Sequence, residues 1–140
     1  MTASAPTTDH AFYLSQAVGG PHDLLFEDIT VSGAGFLASA FHFYHSDGVN
    51  QNAWNVMVRR LHVSGTQQAI ILWDSTLRNV TFDTADITGA LDVAVRYETV
   101  GSTGIAFANI VSTGSGSGKG FYSSQGTAPA GVTFSGNAFH

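Results

Sequence analysis

One ten-residue pattern recurs five times along this chain, and it restricts the fold more than any other feature. The clear copies are Leu24 to Gly33, Val56 to Gly65 and Val80 to Gly89, with weaker ones from Ile105 to Gly114 and from Val132 onward. Each runs apolar-x-apolar, then apolar again three and usually five positions on, and the first four copies close on Gly. Phe26, Val58, Phe82, Phe107 and Phe134 mark the series, at steps of 32, 24, 25 and 27 residues. A period near twenty-five residues is that of a solenoid, in which each repeat forms one coil and buries its apolar face against its neighbours.

A second series interleaves with the first. Its marker positions are Phe12, Phe43, Ile71, Val95 and Phe121, at steps of 31, 28, 24 and 26 residues. Each coil therefore holds at least two short strands. They are bounded by Gly, Asn and Ser and alternate with period two, without a helical 3.6-residue stripe, which predicts like strand stacked parallel on like strand. The expected fold is all-β, a parallel β-helix of about five coils over residues 10–140, preceded by a polar Thr/Ala/Pro lead-in at 1–9. The chirality rule for parallel crossovers makes it right-handed. An immunoglobulin-like or jelly-roll sandwich also uses many short strands but does not predict so regular a register.

Composition agrees with this and narrows the partners. Only 11% of the 140 residues are charged and 16 are Gly, so Ser, Thr, Asn and Gln must cover much of the surface. With no Cys, disulfides and Cys-based zinc sites are excluded. A net charge of −5 without a basic cluster beyond Arg59 and Arg60 argues against nucleic acid as a partner. No apolar run approaches the length of a membrane span, and no signal peptide is legible at the start.

Alternation predicts which side chains face out. In the second series Phe12, Phe43, Ile71, Val95 and Phe121 should stack inside with Leu14, Trp73 and Tyr97. Tyr13, Tyr44, Leu72, Arg96 and Tyr122 should then form an outward ladder. Beside it run Ser15, Ser46, Asp74, Glu98 and Ser124 on one side and Ala11, His42, Ile70, Ala94 and Gly120 on the other. Aromatic rings flanked by carboxylates and hydroxyls suit a sugar chain, because ring faces pack on pyranose C–H surfaces while polar groups bond the hydroxyls. Tyr13, His42, Tyr44, Arg96 and Tyr122 are the candidate substrate-binding residues. The same ladder would also stabilise neighbouring coils by cross-strand packing alone. Asp74 and Glu98 fall on successive coils about 4.8 Å apart, the separation a pair of glycosidase carboxyls needs. They are the candidate catalytic acids, and an exposed acid–Arg cluster on a solvated sheet is the alternative. His42 and His45, three apart on a strand, point to opposite faces and cannot share a metal. The remaining His residues form no ligand constellation, and residues 112–120 read as a Gly/Ser loop.

On these repeats the chain resembles the right-handed, pectin-lyase-like parallel β-helix superfamily of polysaccharide lyases, glycoside hydrolases and phage tailspikes. His45-Ser46-Asp47-Gly48 is similar to the Asn-Thr-Asp-Gly signature of polygalacturonase-type hydrolases, which puts Asp47 on a catalytic acid. Gln67 and Gln68 stand where that family has its acid pair, and Gln cannot exchange a catalytic proton. The family's later signatures are absent, so the fold carries over and the hydrolase mechanism does not. The resemblance implies a secreted, extracellular protein that binds or cleaves a polysaccharide, with no cofactor; calcium would find at best Asp74, Asp92 and Glu98. The alternative is a non-catalytic structural module of a larger secreted or tailspike-like protein. Such a segment of a longer helix would associate end to end, because each end of a solenoid exposes strand edges that need a cap.

Overall fold

The computed structural model describes residues 9–14, 20–44, 52–73, 76–99, 101–116, 119–123 and 131–140. Among the described residues nine strands follow in chain order: β1 (His10–Leu14), β2 (His22–Tyr44), β3 (Asn52–Trp73), β4 (Thr76–Thr88), β5 (Val93–Glu98), β6 (Thr103–Thr113), β7 (Lys119–Ser123), β8 (Val132–Ser135) and β9 (Ala138–Phe139). Every pairing is parallel. The main path runs β1-β2-β3-β4-β6-β8, with β5 on β3, β7 on β5 and β9 on β6. Like strand lies on like strand one coil later, which is a β-solenoid of about four turns. The expectation of about five counts partial coils at both ends, where β1 has five residues and β9 two.

The first series has the register its alternation predicts. Phe26, Val58, Phe82, Phe107 and Phe134 are successive partners, and Leu25, Met57, Thr81, Ala106 and Thr133 form the adjacent outward column. Beside that column Arg59 bonds Glu27 at 2.5 Å across coils. Such partly exposed pairs contribute little to stability.

The second series is corrected at three of its four steps. Phe12 pairs with Phe41 rather than Phe43, Phe43 with Leu72 rather than Ile71, and Val95 with Ile70 rather than Ile71, while Phe121 follows Val95 as expected. A one-residue slip moves a side chain to the other face. Ile70 and Leu72, expected outside, are therefore fully buried in the core, while Trp73, expected inside, is 37% exposed. Ala40, Ala69 and Ala94 also belong to the core, each directly before a core residue, Phe41, Ile70 and Val95. Gly120 ends that alanine column, since a Cβ there would meet the Phe139 side chain at 2.1 Å.

The corners have a five-residue rhythm. Positive φ recurs at Asn55, Arg60 and Gly65, again at Asn79, Thr84 and Gly89, and again at Gly104, Asn109 and Gly114. Between corners the chain alternates in-out-in-out, as in buried Val80, half-buried Thr81, buried Phe82 and half-buried Asp83. Asn and Gly are the residues that enter the left-handed region at least cost. The corner side chains also bond along the stack. Asn55 Nδ2 donates to Asp23 Oδ1 at 2.9 Å, and Asn79 Nδ2 to Asn55 Oδ1 at 3.2 Å. Gly104 continues this column at φ +67°. Gly104→Ala should lower stability by about 1 kcal/mol, from left-handed backbone and from a Cβ placed 2.6 Å from Asn79 Oδ1, or about 3 °C in melting midpoint. Gly104→Asn, the residue of the two preceding coils, should cost less; equal losses in thermal melts would show that φ does not set the preference.

The core is a row of stacked rings. Phe12 lies 4.7 Å from Phe41, Phe82 lies 5.6 Å from Phe107, and Phe107 lies 5.6 Å from Phe134, each pair stacked. Edge-to-face contacts tie the two columns together, with Phe26 5.2 Å from Phe41 and Phe107 5.7 Å from Phe121.

Candidate functional site

The corrected register builds one continuous lateral face. In β1 to β7 the outward column next to the core reads Tyr13, His42, Ile71, Arg96 and Tyr122, and the column beyond it holds Tyr44, Trp73 and Glu98. Each column climbs one strand spacing, about 5 Å, per coil, so the face extends for about 20 Å. His10 joins it by stacking on Tyr13 at 5.3 Å.

The rings touch from coil to coil. Tyr13 is 6.2 Å from Tyr44, and Tyr44 is 5.7 Å from Trp73. The Arg96 guanidinium lies over the Trp73 ring at 4.9 Å from its centre, a cation–π contact. Arg96 also donates to Glu98 through Nε at 2.7 Å and approaches it again through a terminal nitrogen at 2.6 Å. Arg96 thus takes both partners at once, and both of its contacts to Glu98 fall on Oε2. Tyr13 at 47% and Trp73 at 37% exposure leave ring surface open to solvent.

His42 sits beneath these rings at 6% exposure. Its Nδ1 is 3.0 Å from His10 Nε2, and His10 Nδ1 is 2.8 Å from Ser39 Oγ. One of the two facing ring nitrogens must carry the shared proton and the other must accept it, so the contact excludes a state in which both rings are protonated. Burial, the neighbouring His10 and the charge of Arg96 push His42 down to about 4. Burial also lowers His10, with Asp9 opposing.

Beside the rings an open depression of ≈ 240 Å³ is lined by Gln68, Asp92, Val93, Arg96 and Tyr122. Gln68 Nε2 donates to Asp92 Oδ2 at 2.7 Å, while its buried Oε1 and the buried His42 Nε2 receive no hydrogen bond in the structure.

Of the residues expected to bind, Tyr13, His42, Tyr44, Arg96 and Tyr122 all lie on this face, with His42 under it rather than open to it. Glu98 lies on it too. Asp47 and Asp74, with Ser15, Ser46, Ser124 and the His45-Ser46-Asp47-Gly48 stretch, fall outside the described residues. Trp73 and His10 were missed: Trp73 through the slip in register, His10 because its partner is 32 residues away. Among the described residues no three His, Asp or Glu side chains cluster as a metal site. Of the acids a calcium ion would use, Asp92 is engaged by Gln68 and Glu98 by Arg96. Elsewhere His22 stacks on Trp54 at 4.4 Å, a second and smaller aromatic surface.

Fold and face together define a parallel β-solenoid with an aromatic and charged lateral surface. Comparisons with protein-family models, with curated proteins and with solved structures found no match to this chain.

Proposed function

We propose that this chain is a carbohydrate-associated β-solenoid that binds a polysaccharide along the Tyr13–Tyr44–Trp73–Arg96 face. The observation that carries the reading is the run of three partly exposed rings on successive coils, continued by Arg96 and Tyr122 beside a polar depression. Rings at a strand-spacing repeat offer a sugar chain several parallel contacts. Asp92, Arg96 and Tyr122 supply polar groups around the depression for its hydroxyls. The resemblance of the repeats to the pectin-lyase-like superfamily supports the same ligand class. Binding, rather than cleavage, is the activity favoured, because Glu98 is committed to Arg96.

The test is affinity electrophoresis through gels containing neutral or acidic polysaccharides, with release of reducing ends measured in parallel. Retardation by at least one polysaccharide is expected. Trp73→Ala should weaken it about tenfold, equivalent to about 1.4 kcal/mol, and Tyr44→Ala by less, with unchanged circular dichroism. No retardation across the panel, or equal retardation of wild type and both variants, would refute the reading. Release of reducing ends that is lost in Asp74→Ala or Glu98→Gln would make the protein an enzyme instead.

A further inference from the structure

The first and last described coils carry the same apolar pair, Phe on Phe, where the coils between them do not. In the first coil Phe12 meets Phe26 edge to face at 5.2 Å, and in the last Phe121 meets Phe134 edge to face at 4.9 Å. At the same columns the interior coils combine one Phe with an aliphatic residue: Phe41 with Val58, Ile70 with Phe82, Val95 with Phe107. A solenoid that ends in water needs polar outer faces on its terminal repeats. This one places its largest apolar pairs there. Phe134 is 44% exposed and lines, with Phe121 and Phe139, an open depression of ≈ 400 Å³. The outer edges of β8 and of β2 over residues 22–32 have no strand partner among the described residues.

We propose that these ends are one interface: the last coil of one copy seats on the first coil of a second copy, head to tail. The stacking would continue what the interior already does, Phe134 over the second copy's Phe26 and Phe121 over its Phe12, as Phe107 lies over Phe134 and Phe41 over Phe12. The charge pattern permits it. The acids of the first coil, Asp23, Glu27 and Asp28, occupy columns that end in the last coil at Gly131, Ser135 and Gly136, so no like charges oppose one another. Open strand edges would be paired in the same step, and because head meets tail the contact repeats without closing.

The absence of Cys provides a direct test. Leu25 and Thr133 are both exposed and share one outward column. Head-to-tail seating brings Leu25→Cys of one copy and Thr133→Cys of another to one strand spacing, about 4.8 Å, within disulfide reach. Under mild oxidation, mixing the two variants should give a cross-linked heterodimer at least tenfold faster than either variant alone, and the double variant should give a ladder of oligomers. Cross-linking of either single variant with itself at the rate of the mixture would overturn the proposal in favour of a symmetric contact. In sedimentation, the wild-type mass should rise with concentration, and Phe134→Glu should weaken association more than tenfold. A wild-type chain that stays monomeric to millimolar concentration would also overturn it. None of these readouts involves a polysaccharide, so they stand or fall apart from the binding face.

Discussion

Phe82→Ala is expected to cost about 3–5 kcal/mol, the range for truncating a fully buried Phe, which corresponds to a fall of about 10–15 °C in melting midpoint. Phe82 has no exposed surface, stacks on Phe107 at 5.6 Å and meets Phe41 and Phe43 edge-on at 6.0 and 6.1 Å. Its contacts reach three coils, and strands on either side hold the backbone in register, so the site has little room to collapse onto a cavity. Phe82→Leu keeps most of the volume and should cost less than half as much. Phe134→Ala, in the same column but 44% exposed, should cost about 1 kcal/mol. Thermal melts of the three variants check the gradient. Equal losses at Phe82 and Phe134 would mean that the ring column is not organised as described.

The second large effect is acid sensitivity. His42 takes a proton at about 4 in the folded chain and near 6.5 when unfolded. Above pH 6.5 both states are neutral and the residue adds no pH dependence. Between 6.5 and 4 the unfolded chain binds the proton first, so stability falls as pH falls; below 4 the folded chain is protonated as well and the loss levels off. One proton over that interval amounts to about 3 kcal/mol. His10, lowered in the same direction, adds to it. Protonating both rings would also set two N–H donors against each other across the 3.0 Å His10–His42 contact, with Arg96 adding positive charge nearby. The carboxylates of Asp23, Glu27 and Asp28 are lowered by hydrogen bonds from Asn55 and Arg60, so their contribution lies below pH 4.5 and is separable. His42→Phe should flatten the denaturation midpoint between pH 6.5 and 4.5. A wild-type midpoint that does not change over that interval would remove the shared-proton pair from the account.

The fold was legible where polar residues interrupt apolar ones. Leu24-x-Phe26 and Val80-x-Phe82 show their parity directly, and their register in the structure is the one the spacing predicts. Parity was hidden in Ala69-Ile70-Ile71-Leu72-Trp73, a continuous apolar run buried at four of its five positions on both faces. It was hidden again where Phe41 and Phe43 both point inward. Those two ambiguities account for Leu72 being expected on the surface and Trp73 in the core, hence for an incomplete candidate site. The five-residue corner rhythm was present as Asn55 and Gly65, Asn79 and Gly89, Gly104 and Asn109, but Arg60 and Thr84 at positive φ break the compositional signal. Only parallel stacking, which ties each corner to the next coil, places such residues there. The His10–His42 pair becomes visible only when Tyr13 is aligned with His42.

The corner rhythm has a consequence for how this protein can vary. Fixing five residues per side from Asn55 to Gly65 and from Asn79 to Gly89 leaves no tolerance for length there, because one added residue would turn core side chains into water. The connections that follow Leu14, Tyr44, Trp73, Glu98 and Ser123 span 7, 7, 2, 4 and 8 residues. They leave from two adjacent columns at the margin of the aromatic face, Leu14 and Ser123 from one and Tyr44, Trp73 and Glu98 from the next. Length and sequence can change at that margin without disturbing the stack, so ligand preference can drift while the scaffold stays constant.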